Sequence, residues 1–244
     1  SRMRSCSRSS GVPRDTAGLE IGPEEHKLGI RGSSTVTVRF DGARVPLDHV
    51  LGEPGRGMEH AHRLLEWGRT LMSAGCIGTA RAALDATVRH VSERRQFGRT
   101  LGKFAATQAH LAAMASRLYA MESTVEYVGR LEAAARPIGT VSAVAKVFSS
   151  EGAFDLCDRA IQLHGALGFI EDTGVARLSR DCRVTRIFEG ANDVLLVRTG
   201  TALVGAEATN GERHVHGDTP AALGDALVEW QAVERGMGLD ETAV

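Results

Sequence analysis

The sequence predicts a mainly α-helical protein in which a few short strands precede a helical bundle. Three observations carry this. From Met58 onward apolar residues recur at helical spacing, with steps of three and four in the clearest stretch. The clear period-2 segment is only five residues long and lies before that region. The composition, 43% hydrophobic and 24% charged over 244 residues, is that of a globular chain of one large domain, or one domain with an appendage. A net charge of −1 gives no pull toward nucleic acid or an anionic membrane, so no nucleic-acid partner is expected. No apolar run approaches the ~20 residues of a membrane span. Only Lys27, Lys103 and Lys146 are lysines among 29 basic residues. This arginine bias reads as a GC-rich genome and points to a bacterial, cytoplasmic protein, or a mitochondrial one if the source is eukaryotic. Cys6, Cys76, Cys157 and Cys182 form no CxxC pair and read as reduced thiols.

Taken in order, residues 1–18 carry Arg2, Arg4, Arg8 and Arg14, abundant serine and no acid before Asp15, and read as a disordered or non-native leader. Residues 19–57 read as strands and turns. In VTVRF (36–40), Val36, Val38 and Phe40 alternate with Thr37 and Arg39, Asp41-Gly42 makes a turn, and the Gly-rich 52–57 stretch connects onward. Such short strands are marginal alone and must pair or pack with something else. Residues 58–206 read as the bundle. A first helix covers 58–94, and a second carries the heptad seam Leu111, Met114, Leu118, Met121, Val125 and Val128, ended by Arg136-Pro137. A third, about 139–164, places Val141, Val144, Phe148, Leu156, Ala160 and Ile161 on one broad side and stops at Gly165. Segments at 175–187 and 191–205 complete it. Residues 207–244 form a polar break and a short amphipathic tail helix, with Thr219-Pro220 as its start and Leu223, Leu227 and Trp230 on one face.

No dinucleotide-binding GxGxxG, Walker loop or HExxH occurs. His60/His62 on a helix point about 200° apart and cannot share a metal, and His214/His216 lie in the polar break, so both pairs read as exposed and no metal site is expected. Three stretches are informative together: Glu93-Arg94-Arg95-Gln96-Phe97-Gly98, Gln162-Leu163-His164-Gly165-Ala166-Leu167-Gly168-Phe169, and Arg180-Asp181-Cys182-Arg183 leading into Arg186-Ile187-Phe188-Glu189-Gly190-Ala191-Asn192-Asp193. With KLGIRGSST (27–35), ARVP (43–46) and VLGEPGRG (50–57), they resemble the acyl-CoA dehydrogenase family, and its very-long-chain branch in particular, from about Gly18 to Gly205.

The resemblance implies the C-terminal half of that fold: a remnant of the middle β-domain over 19–57, then a four-helix bundle. It implies FAD as cofactor and the conversion of a fatty acyl-CoA to the trans-2-enoyl-CoA, with electrons passed to an electron-transfer flavoprotein. Glu189 matches the base that takes the α-proton, and a carboxylate desolvated by an acyl chain is suited to a carbon acid. The Glu189 backbone N–H matches a donor to the thioester carbonyl, so Glu189 and Gly190 match the substrate contacts. In another branch the base sits at the position of Gly68, which cannot serve; Arg69 beside it matches the arginine near the carboxylate.

Arg94 and Phe97 match residues that cross a dimer interface to the neighbouring subunit's FAD, the guanidinium meeting its pyrophosphate. Gln162, Gly165 and Ala166 match the turn at the adenosine end of that FAD, and Gln108 matches a further contact. Ala191 stands where the family has a threonine on FAD, Ala166 replaces a glycine, and Ala105 replaces a glutamine. The family's N-terminal helical domain and the β-domain loop around the flavin ring have no counterpart in the 244 residues. The chain is therefore expected to be incomplete alone, acting as a homo-oligomer (dimer or tetramer) or as a heteromer with a fuller subunit. Two alternatives remain open: a non-catalytic or half-site partner subunit, and an inactive truncated product.

Overall fold

The computed structural model describes residues 9–208. Residues 1–8 of the expected leader and almost all of the expected tail, with His214, His216, Leu223, Leu227 and Trp230, lie outside the described residues. Within the stretch read as a leader, β1 (Ser9–Ser10) pairs antiparallel with β4 (Val50–Leu51), Ser9 opposite Leu51. Strands β2 (Leu19–Glu24) and β3 (Val36–Phe40) form a separate antiparallel pair with a register shift between Ile21 and Glu24. The alternation of Val36, Val38 and Phe40 does mark a strand. Its apolar face is uncovered, however: Ile21, Val38 and Phe40 are all exposed. Two strands offer no second layer to pack against, as expected for so short a set.

The bundle is built from α1 (Gly57–Glu93), α2 (Ala105–Ala133), α3 (Gly139–His164) and α6 (Asn192–Ala208), with the short α4 (Ala166–Phe169) and α5 (Val175–Arg183) between the last two. Between α1 and α2 a hairpin pairs β5 (Arg95–Gln96) with β6 (Arg99–Thr100). Helix α3 lies at the centre and packs against α1, α2, α5 and α6. The expected 175–187 segment is helical only to Arg183; a 3-10 turn follows at Val184–Arg186 and the chain then leaves helical geometry before Glu189.

The core runs along the predicted seam of α2, where Met114, Leu118, Met121 and Val128 are buried and Leu111 and Val125 half-buried. What faces this seam meets the expectation only in part. On α3 the expected Val141, Leu156 and Ala160 are buried, but Val144, Phe148 and Ile161 are only half-buried, while Ser142, Ala145, Ser149, Ala153 and Cys157 are buried together with Lys146. On α1 the buried residues include Arg69, Ser73, Cys76, Ala80, Ala83, Thr87 and Val91, spaced by four and three. Small side chains at this spacing let two helix backbones approach closely. The buried hydroxyls pose no unmet demand at Ser73 and Thr87, which donate to Arg69 O (2.7 Å) and Ala83 O (2.7 Å) one turn back.

Three thiols, one each from α1, α3 and α5, meet in this core. Burial pushes Cys76 up to about 11, and Cys157 is raised by its hydrogen bond with Cys182 and by burial. The hydrogen bond with Cys157 lowers Cys182 instead, so burial, which shuts out a reagent, is what keeps all three thiols from reacting. Iodoacetamide near neutral pH should leave Cys76, Cys157 and Cys182 unmodified in the native protein and alkylate all three in denaturant. Native labelling of any one, read by peptide mass spectrometry, would show that the seam opens.

Candidate active site

The predicted residues fall into two groups at different ends of α1. The first surrounds the loop between α5 and α6. Glu189 has φ +57° and Gly190 φ +101°, so the chain makes a left-handed turn there. The left-handed conformation at a non-glycine residue costs roughly 1–2 kcal/mol and persists only where neighbours hold it. Two cations do so. Arg69, buried on α1, donates from Nε to the carbonyl of Glu189 at 3.0 Å. Lys146 on α3 donates from Nζ to the carbonyl of Gly190 at 2.7 Å and to Asn192 Oδ1 at 2.7 Å. Burial lowers the pKa of both cations, that of Lys146 to about 8, so the ammonium still carries its proton at neutral pH.

The Glu189 carboxylate lies directly against Gly68. A Cβ placed on Gly68 would sit 2.5 Å from Oε2, closer than real Cβ atoms come. Any side chain at this position would push the carboxylate out of this seat. Ala191 is half-buried and its carbonyl accepts the Leu195 N–H at 3.1 Å, which places it at the opening of α6. Beside this loop an apolar cavity of about 370 Å³ is walled by Val184, Ile187 and Phe188 on one side and Leu28 and Ile30 on the other. Adjoining Gly68, Trp67 and Glu66 border a larger polar cleft of about 1010 Å³ whose walls include Arg63, Arg136 and Arg198. Of these residues, sequence reasoning missed Lys146 and the arginines of the cleft. A lone lysine among small helix residues marks Lys146 as unusual, but nothing in the sequence names its partners.

The second group lies at the C-terminal ends of α1 and α3. The rings of His90 and His164 stack there with centroids 4.3 Å apart, which sets the two helix ends side by side. Arg94 follows one turn after His90, and Gln162 precedes His164. Phe97 and Gly98, at φ +50° and +79°, form the two-residue turn of the β5–β6 hairpin, the geometry in which both central residues have positive φ. The Phe97 side chain is 90% exposed, meeting Phe104 only edge-on at 6.3 Å. Arg94, Gln162, Gly165 and Ala166 are exposed on the same end. Gln108 is exposed too and donates to Gly102 O at 3.0 Å. Gly165 has φ 60° and ψ −138°, and a Cβ there would meet nothing within 4 Å, so its backbone is open to a ligand. His60, expected to be exposed, is half-buried over Gly52, which has no room for a side chain; His62 is exposed. No group of metal-binding side chains forms among the described residues, and no described helix is long and apolar enough to cross a membrane.

The sequence model of the acyl-CoA dehydrogenase C-terminal domain matches residues 55–204, all of the bundle but the end of α6, with both groups of residues. The chain belongs to the acyl-CoA dehydrogenase family. It is 40% identical over 185 residues to the mitochondrial very long-chain specific acyl-CoA dehydrogenase of Homo sapiens, covering 75% of this chain and 28% of the human protein. Among solved structures, the butyryl-CoA dehydrogenase of Megasphaera elsdenii superposes with a TM-score of 0.78 at 34% identity, over 81% of this chain and 51% of that one. An acyl-CoA dehydrogenase of Bacillus anthracis complexed with FAD gives 0.75 at 32% identity, over 83% and 38%. The chain therefore spans about half, or less, of the length of these relatives. The shared fold includes the Gly165 turn, whose conformation is one that essentially only glycine adopts. Gly165→Ala should lower stability by roughly 1–3 kcal/mol through backbone strain alone, seen as a reduced denaturation midpoint. An unchanged midpoint would mean that the turn relaxes readily.

Proposed function

We propose that this chain carries the proton-abstracting half of an FAD-dependent dehydrogenation of a fatty acyl-CoA to the trans-2-enoyl-CoA, with Glu189 as the base. The observation that carries the reading is the seat of the Glu189 carboxylate. It lies against Gly68 of α1, on a loop held through its main chain by Arg69 and Lys146, near an apolar cavity. In this reaction a carboxylate oxygen of Glu189 takes the α-proton while the β-hydride leaves the substrate. FAD, when bound, supplies the acceptor for that hydride. Gly190 and the Glu189 backbone border the thioester, where main-chain N–H groups stabilise charge on its carbonyl oxygen.

The residues of the second group fit the phosphate and adenosine end of a flavin dinucleotide. They present one exposed guanidinium, an exposed aromatic ring and an open glycine turn. Arg94 would meet the pyrophosphate, and Phe97, Gln108, Gln162, Gly165 and Ala166 would border the rest; Ala191 would lie near the flavin of its own chain without the hydroxyl of a threonine. Arg69 and Arg94 are twenty-five residues apart on α1 and its extension, roughly 37 Å at the rise of an α-helix. One dinucleotide does not reach both, which supports a flavin shared between two subunits, either two copies of this chain or this chain with a fuller one. An electron-transfer flavoprotein is the proposed electron acceptor.

Two substitutions separate the parts of this reading. In the flavin-loaded enzyme, Glu189→Gln should abolish acyl-CoA-dependent bleaching of the flavin while leaving flavin content near wild type, because an amide has no useful basicity. Bleaching at more than a small fraction of the wild-type rate removes Glu189 as the base. Arg94→Ala should weaken FAD binding by roughly 1.5–3 kcal/mol, the loss of a charged hydrogen bond, measured by flavin titration of the assembled protein. Unchanged affinity would place the pyrophosphate elsewhere.

A further inference from the structure

Proton abstraction as proposed makes no direct use of Lys146, yet this is the largest fully buried side chain among the described residues. It stands in the middle of α3, where the neighbouring buried positions are alanine and serine. A buried ammonium is expensive unless its protons are satisfied, and a methionine would fill the same length with no such penalty. Its hydrogen bonds go to two oxygens of one short segment, the Gly190 carbonyl and Asn192 Oδ1. Asn192 is fixed in turn: its Nδ2 donates to Ser150 Oγ at 3.0 Å and to Glu151 Oε1 at 2.7 Å. The same Glu151 oxygen accepts from Arg186 Nε at 2.8 Å. Lysine, asparagine and glutamate therefore form one satisfied network beneath the loop, and the opposite side of that loop is held by Arg69.

We infer that Lys146 is a positioning residue for the reaction: by gripping the Gly190 carbonyl and Asn192 it keeps Glu189 in its left-handed backbone conformation, with the carboxylate seated at Gly68. The inference rests on the reading of Glu189 as the base, but the grip itself is measurable without it. Lys146 touches the main chain and the first side chain of α6, and neither the carboxylate nor substrate.

The test is hydrogen-exchange mass spectrometry on the 244-residue chain, following the peptide that spans Ile187 to Leu195. Lys146→Met should speed exchange there roughly ten- to a hundredfold, the equivalent of one charged hydrogen bond, with the peptides of α1 and α2 unchanged. Lys146→Ala should do the same, and propylammonium, which restores the missing carbons and the charge, should slow exchange again where propanol does not. Glu189→Gln should leave the exchange at wild type, since the grip is on carbonyls. In the flavin-loaded enzyme Lys146→Met should lower the rate of flavin bleaching with the half-saturating acyl-CoA concentration unchanged. Wild-type exchange in Lys146→Met, equal rescue by propanol, or wild-type bleaching despite a loosened loop would each overturn the inference. So would faster exchange spread evenly over the bundle and not reversed by propylammonium. If Glu189→Gln still bleaches the flavin, it is the reading of the base that fails, and the exchange result identifies that case separately.

Discussion

Helices α1 and α3 meet along faces built almost wholly of small side chains, with Ser73, Cys76, Ala80, Ala83 and Thr87 on one and Ser149, Ala153, Cys157 and Ala160 on the other. Large residues on either face would hold the axes further apart, toward the upper end of the 8–10 Å range of packed helices. Because they pack side by side, both ends of the pair carry side chains that meet. At one end His90 stacks on His164, and the chain leaves α1 and α3 into Arg94 and Gln162. Toward the other, Arg69 from α1 and Lys146 from α3 close on the same two-residue turn. A single packing decision in the core therefore produces both groups of functional residues.

A seam of small residues buries little apolar area per residue, so its stabilisation comes from contact density more than from transfer of large side chains. Met114, Leu118, Met121 and Leu156 supply the bulk that the seam lacks, which is why the heptad helix α2 and the centre of α3 share one cluster. The converse holds on the outside. Leu64, Leu71, Val194 and Val197 on α1 and α6 are exposed, as are Phe97 and Phe169 at the far end. In this chain size and burial are partly inverted, and that inversion follows from reserving the interior for close helix approach.

The same inversion explains what could be read from the sequence. Helix α2 was legible because its large apolar residues repeat at a heptad spacing and are the buried ones. Helix α3 was legible as a helix with its ends, but its buried side only in part, through Val141, Leu156 and Ala160. Val144, Phe148 and Ile161 outrank alanine and serine in any hydrophobic pattern, although here the small residues are inside. The strand at 36–40 was visible from alternation, which reports a pleat and says nothing about whether a second layer covers it. Glu189, Arg69, Arg94 and Gln162 were found by resemblance, and the structure adds what resemblance does not give: that Gly68 is the space the carboxylate occupies. Lys146 was invisible as a functional residue because its partners are two carbonyl-type oxygens 44 and 46 residues away. No spacing rule in one helix encodes such a contact.

The two cations at the loop lie close enough to the Glu189 carboxylate to feel its charge, yet their hydrogen bonds go elsewhere. Here both cations place these hydrogen bonds on the carbonyls of residues 189 and 190 and on an amide oxygen, and the carboxylate is turned toward a glycine. Backbone strain at Glu189 is what permits this: the left-handed turn points the carbonyls down toward α1 and α3 and the side chain across to Gly68. The roughly 1–2 kcal/mol of strain is smaller than two charge-assisted hydrogen bonds, at roughly 1.5–3 kcal/mol each. The turn is held by its main chain, and the side chain of Glu189 takes no part in those hydrogen bonds.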